Sequence, residues 1–170
     1  MDFRSDNVHI VADPILKAIL KANHGTISSY GEDEITYKAQ ELLSEIFNKD
    51  ISSFFLSTGT AANALCLSAI TPPHGSTFCG FESHIYLEEC NAPEFFTGGS
   101  KLFPINTVSG KMSPEELIEA LDSHPKEKSD IALSSLSLAQ ATECGTVYTL
   151  EEIKKITQIA KENNLNIHLD

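Results

Sequence analysis

The sequence predicts an α/β fold: a largely parallel sheet with helices on both faces. Three observations predict it. Short apolar runs alternate with longer segments of helical period. The alternation recurs at about the spacing of βαβ units. Several helical segments also open on capping residues.

In chain order, "DPILKAILKAN" reads as a helix with Asp13 as N-cap and Pro14 at the first helical position. Ile15, Leu16, Ile19 and Leu20 supply its apolar spacing. "HGTISSYGEDE" is a loop. A second helix runs from Glu34 to Asn48, with Ala39, Leu42, Leu43, Ile46 and Phe47 on one face. "SSFFLS" is expected to be a short strand ending at Ser57, and "TGTAANALCLSAI" the helix after it. "STFCG" is the next strand. "SHIYLEECNAPEFFTGG" is a loop or helical turn closed by Gly98 and Gly99, and "KLFPIN" a further strand. "SPEELIEAL" is a helix whose Ser113, Pro114 and Glu116 form a capping box with proline at the first position. "DIALSSLSL" is a strand, "TLEEIKKITQIAKENN" a helix capped by Thr149, and "LNIHLD" the last strand.

The 170 residues carry 24 acidic and 12 basic side chains, a formal net charge of -12. A phosphate backbone is bound by a basic surface, so nucleic acid is not expected as a partner. No apolar stretch reaches membrane-spanning length, and the start "MDFRSDNVHI" lacks a signal pattern. The expectation is a cytoplasmic protein with no membrane partner. Cys66, Cys79, Cys90 and Cys144 lack C-x-x-C spacing and are expected to be buried or inert thiols, with no metal site.

In open α/β sheets, ligands bind beyond the C-terminal ends of the strands. That rule selects Ser57 to Thr60, Gly80 to His84, Ser137 to Glu143, and Asp170. At the first, Thr58, Gly59 and Thr60 turn into a helix whose free N–H groups and dipole favour one phosphate. Alternatively, Thr58 only caps that helix. There is no Walker lysine and no G-x-G-x-x-G, which disfavours nucleoside triphosphates and dinucleotides. His84 lies at a strand end, where an imidazole can stack on a ring or act as acid or base; a plain surface or core histidine is the alternative. Glu88 and Glu89 point in different directions on a helical turn, so at least one is expected in solvent. Gln140, Thr142 and Glu143 are polar groups at the same edge. On the last strand Ile167 and Leu169 face one way, His168 and Asp170 the other. A carboxylate beside a pyridine nitrogen keeps it protonated, which is the electron sink of pyridoxal 5'-phosphate chemistry. A phosphate cup, a ring-stacking histidine and a terminal aspartate together describe such a site.

"RSDN" at 4–7, "YGED" at 30–33, "STGTAAN" at 57–63, "SHIYLEECNAPE" at 83–94, "QATECGTVY" at 140–148 and the closing "IHLD" carry a specific resemblance. Order and spacing resemble the low-specificity L-threonine aldolases, pyridoxal-phosphate enzymes of the aspartate-aminotransferase fold. "TGTAAN" departs from the S-G-T-M-G-N form of some members. The resemblance implies that Thr58, Gly59 and Thr60 hold the cofactor phosphate. It implies that His84 stacks on the ring and takes part in proton transfer, that Asp170 pairs with the ring nitrogen, and that Gln140 approaches the ring. Ser5, Asp6 and Tyr30 would line the substrate side, Tyr30 from a neighbouring subunit. The family continues with G-A-R and, later, the Schiff-base lysine; Lys154, Lys155 and Lys161 do not match it. The chain therefore resembles the N-terminal half of such an enzyme. Residues 1–50 would be a helical segment with an active-site loop, and 51–170 the first part of the cofactor-binding domain. The implied substrate is a small amino acid and the implied assembly a homodimer or homotetramer. Another reaction on the same cofactor (β-elimination, transamination, racemisation) and a non-catalytic module are the competing readings.

Overall fold

The computed structural model describes residues 8–124 and 132–170. The chain divides into two units, Met1–Phe54 and Phe55–Asp170.

The first unit holds α1 (Asp13–Ala22) and α2 (Glu34–Phe47). The N-cap of α1 is Ala12, one residue before the expected Asp13, and no side chain caps it. The Ala12 carbonyl accepts the N–H groups of Ile15 and Leu16, so the first turn closes before Asp13 can cap it. Asp13 still lies in the first turn, where its charge complements the helix dipole. At α2 the Asp33 carboxylate accepts from Ile35 N–H at 3.0 Å and Thr36 N–H at 2.9 Å. The Thr36 hydroxyl donates to it as well and holds its carboxyl below the usual range. Asn48, in the left-handed region, ends the helix. Neither helix contains a buried residue.

The strand expected at "SSFFLS" does not form; residues 51–56 are irregular, and Phe54 and Phe55 are exposed. A strand needs a hydrogen-bonding neighbour as well as apolar side chains. No described strand pairs with this stretch.

The second unit runs α3 (Gly59–Ile70), β1 (Gly75–Gly80), α4 (His84–Leu87), α5 (Ala92–Phe96), β2 (Lys101–Ile105), α6 (Pro114–Ser123), β3 (Ala132–Leu138), α7 (Leu150–Glu162) and β4 (Asn166–Leu169). The strands lie in the order β2-β1-β3-β4, every pair parallel. The segment read as a loop or turn after β1 contains the two short helices α4 and α5. Both α6 and α7 begin with complete capping boxes, Ser113 with Glu116 and Thr149 with Glu152. Each box satisfies two N–H groups that a helix start leaves without partners.

Alternation along the strands gives the sheet two unlike faces. Toward α6 and α7 it presents Phe78, Ile105, Leu136 and Leu138, which pack with Leu117, Leu121, Ile156 and Ala160. On the opposite face Thr77, Cys79, Ser135, Ser137 and His168 are buried. Cys79 packs there with Leu67 of α3 and Ile85 of α4. Ser135 Oγ lies 2.7 Å from both Thr71 Oγ1 and Thr77 Oγ1. Cys79 is buried and its thiol is pushed up to about 11 by burial, whereas Cys66, Cys90 and Cys144 are exposed, so only Cys79 meets the buried half of the expectation. Among the described residues no helix is long and apolar enough to cross a membrane.

Candidate active site

At the C-terminal edge of the sheet, four segments of the second unit line one cleft of about 360 Å³. The start of α3 contributes Gly59, Thr60 and Asn63. α4 and the turn after it contribute His84 and Glu89. The loop after β3 contributes residues 139–143, and the end of β4 contributes Asp170. These are the places that the strand-end rule selects, because parallel strands point their carboxyl ends the same way.

Thr58 is the N-cap of α3: its Oγ1 accepts the Ala61 N–H at 3.1 Å. The first-turn N–H groups of Gly59 and Thr60 have no acceptor within the helix. No other group lies within 4 Å of where a Cβ on Gly59 would stand. The backbone there is open to an incoming anion, which the positive end of the helix favours.

His84 opens α4. Its backbone N–H donates to Glu143 Oε1 at 2.6 Å, and its ring Nδ1 lies 2.9 Å from Glu89 Oε1. Its Nε2 is 3.8 Å from Glu88 Oε2. The hydrogen bond to the Glu89 carboxylate holds the imidazole above the usual histidine value, against some desolvation. The adjacent glutamates have opposite environments. The Glu88 side chain is 69% exposed, whereas that of Glu89 is 0% exposed. Glu89 Oε1 also accepts from Asn63 Nδ2 at 2.8 Å, and the same Nδ2 donates to Asp170 Oδ2 at 3.0 Å.

Asp170 is held through its backbone. Its N–H donates to the Leu138 carbonyl and its carbonyl accepts from Gln140 N–H, both at 2.9 Å. The ladder between β3 and β4 thus continues to the last residue. Beneath it, buried His168 places Nδ1 2.9 Å from Ser137 Oγ. Burial lowers the His168 pKa, although Asp170 and Glu89 oppose this.

Gln140 lines the cleft, but its amide is turned to the loop. Its Oε1 accepts Tyr148 N–H at 2.9 Å and its Nε2 donates to the Tyr148 carbonyl at 3.3 Å. The loop leans on the turn after β2, where Thr146 Oγ1 donates to the Ser109 carbonyl at 2.8 Å. Gly110 has φ +78°, and a Cβ there would stand 2.7 Å from Thr142 Oγ1 and 2.9 Å from Thr142 Cβ.

The structure therefore brings Gly59, Thr60, His84, Gln140 and Asp170 together, with Thr58 capping the helix beside them. Tyr30 belongs to the first unit, where it is fully exposed with φ 61°. Ser5 and Asp6 lie outside the described residues. Lys154, Lys155 and Lys161 are exposed on α7. Sequence reasoning missed Asn63 and the burial of Glu89. A signal for Asn63 existed: it follows Gly59 by four residues and Thr60 by three, so a helix puts all three on one side.

The family profile of the beta-eliminating lyases matches residues 2–170. Two curated relatives are low specificity L-threonine aldolases. That of Pseudomonas sp. (strain NCIMB 10558) is 38% identical over 99% of this chain and 48% of its own length. That of Pseudomonas aeruginosa is 37% identical with the same coverage. This chain spans about half the length of the curated relatives it matches. The solved threonine aldolase of Leishmania major superposes with a TM-score of 0.85 at 26% identity, over 92% of this chain and 45% of that one. A structure of SPT with PLP, at 17% identity and TM-score 0.62 over 91% of this chain and 36% of its own, shares the fold.

Proposed function

The chain belongs to the beta-eliminating lyase family, and on that footing we propose that the whole protein is a pyridoxal-phosphate-dependent aldolase. It would cleave the Cα–Cβ bond of L-threonine or allo-threonine to glycine and acetaldehyde. The observation that carries this reading is the meeting of His84, Asp170 and the open start of α3 in one cleft.

The donor set fits the cofactor. A phosphate suits the N–H groups of Gly59 and Thr60 and the space beside Gly59. A protonated ring nitrogen suits the Asp170 carboxylate. When bound, pyridoxal phosphate would supply an electron sink for the breaking carbon–carbon bond. Asp170, fixed by the ladder on both sides of its Cα, would hold its charge in place without reorganisation. His84, engaged by Glu89 at Nδ1, presents Nε2 as the atom at which a proton can be held or moved. Its side chain is 42% exposed, as stacking on a bound ring would require.

The family likeness supports two further proposals: a homodimer or homotetramer whose neighbouring subunit supplies Tyr30, and Ser5 and Asp6 on the substrate side. Division into a helical segment with an active-site loop, 1–50, and a cofactor-binding part, 51–170, belongs to the same proposal. The test is to incubate the full-length protein with L-threonine and pyridoxal phosphate and assay acetaldehyde. Cofactor binding without product would count against the aldolase. A second reaction on the same cofactor, racemisation, is favoured by a relative named alanine racemase TOXG from Cochliobolus carbonum, 31% identical over 99% of this chain. Turnover of L-alanine to its enantiomer in preference to threonine would select it.

A further inference from the structure

Glu89 is the one carboxylate lining the cleft whose side chain is wholly buried; it bonds the His84 ring directly and reaches Asp170 through Asn63. Oε1 takes the His84 ring at 2.9 Å and Asn63 Nδ2 at 2.8 Å. Asn63, itself 5% exposed, passes its second N–H to Asp170 Oδ2 at 3.0 Å. Glu89 Oε2 is buried with no hydrogen-bond partner. We propose that Glu89 is a positioning residue: through one oxygen it fixes the ring orientation and tautomer of His84, and through Asn63 it fixes the Asp170 carboxylate. This rests on the cofactor reading above only where Asp170 is concerned.

The chemistry follows from the donor inventory. An ionised carboxylate only accepts, so the proton between Glu89 and His84 resides on Nδ1. Neutral His84 then carries its lone pair on Nε2, the nitrogen that Glu89 does not engage. An amide has two N–H groups, and Asn63 spends both on carboxylates. Two carboxylates that would otherwise repel thereby share the one amide nitrogen of Asn63 as donor. Replacing Asn63 by an apolar residue would leave Asp170 without that tether and leave the Glu89–His84 bond in place.

The charged groups facing His84 are Glu89 and Glu88 from α4 and the turn after it, Glu143 from the loop after β3, and Asp170 from the end of β4. Of these, Glu89 alone bonds the ring within 3 Å. The proposal therefore separates two arms. In full-length protein with 13C-labelled histidine, NMR titration reports His84, assigned by its loss in His84→Asn. Glu89→Gln is expected to lower the His84 midpoint by about one pH unit, the size of shift that a lost opposite charge at this distance produces. Asn63→Ala is expected to leave that midpoint in place and to raise the dissociation constant of pyridoxal phosphate about ten-fold. If Glu89→Gln does not fold, Glu89→Asp, one methylene shorter, is expected to move the midpoint down as well. An unmoved midpoint in the Glu89 variant, or unchanged cofactor affinity in Asn63→Ala, overturns the corresponding arm. Failure of the cofactor reading is distinguishable: the unsubstituted protein would then bind no pyridoxal phosphate, while its His84 titration would still report on Glu89.

Discussion

The two faces of the sheet solve different problems with the same four strands. Toward α6 and α7 the strands present Phe78, Leu136 and Leu138 to an apolar core. Toward α3 they bury Thr77, Ser135, Ser137 and His168. The apolar face gains stability by removing large side chains from water. The other face buries polar atoms, which is tolerable only because they satisfy one another. Thr71, Thr77 and Ser135 do so as a hydroxyl cluster, and Ser137 pairs with His168. At its carboxyl end this polar face continues into Asn63, Glu89 and Asp170. The difference teaches that the cleft opens on the face where polar groups are buried in small hydrogen-bonded clusters rather than on the apolar one.

The comparison can be broken most severely on the apolar side. Leu136→Ala, at a fully buried position, is expected to cost about 2–5 kcal/mol in denaturant unfolding of the full-length protein. On the polar side the largest effect should be functional. On the proposed function, Asp170→Asn removes the charge that would face the cofactor's ring nitrogen, and we expect a loss of about 10²–10³-fold in kcat with an unfolding midpoint close to the parent's. Ser135→Ala deletes a hydroxyl shared by two threonines and is expected to cost about 1–3 kcal/mol. A smaller cost would mean that the threonines re-pair across their 3.4 Å separation.

The two histidines sharpen the contrast through pH. His84 has a raised pKa, so its contribution to stability is present below the ordinary histidine value and is lost as pH rises through the raised one. His168 has a lowered pKa, so its contribution is present above the ordinary value and is lost as pH falls through the lowered one. Unfolding midpoints measured over about pH 5 to 8 should therefore lose their alkaline decline in His84→Gln and their acidic decline in His168→Gln. The smallest effect belongs to the rim. Lys111 Nζ lies 2.6 Å from Glu152 Oε1 and holds that carboxyl down at about 2. Glu152→Gln should lower stability slightly at neutral pH, where the ionised carboxylate holds Lys111 and the Thr149 N–H. It should flatten the acid limb of stability, because the carboxylate's contribution is lost as pH falls from the usual range toward that value.

Much of this was legible in the sequence. Helices α6 and α7 announce themselves with Ser113…Glu116 and Thr149, since a capping box is a local interaction. Strand β4 shows its two faces by alternation: Ile167 packs on the apolar core and His168 is buried on the other side. What depended on distant partners was not legible. "SSFFLS" has strand composition and no neighbour to pair with. Asp13 reads as a cap, yet Ala12 closes the turn first. Which of Glu88 and Glu89 is buried is decided by Asn63 and His84, which reach the second from other parts of the chain or the preceding turn. Asn63 was passed over because its role lies 107 positions away, at Asp170.

Gly110 does not line the cleft, yet it sets a tolerance for the loop that does. Any side chain there would press on Thr142, the neighbour of the Glu143 that holds the His84 backbone. A single added methyl would thus press on the segment whose Glu143 accepts the His84 backbone N–H. A scan of the cleft for functional positions would pass over this lever, because its arm is long and its fulcrum lies outside.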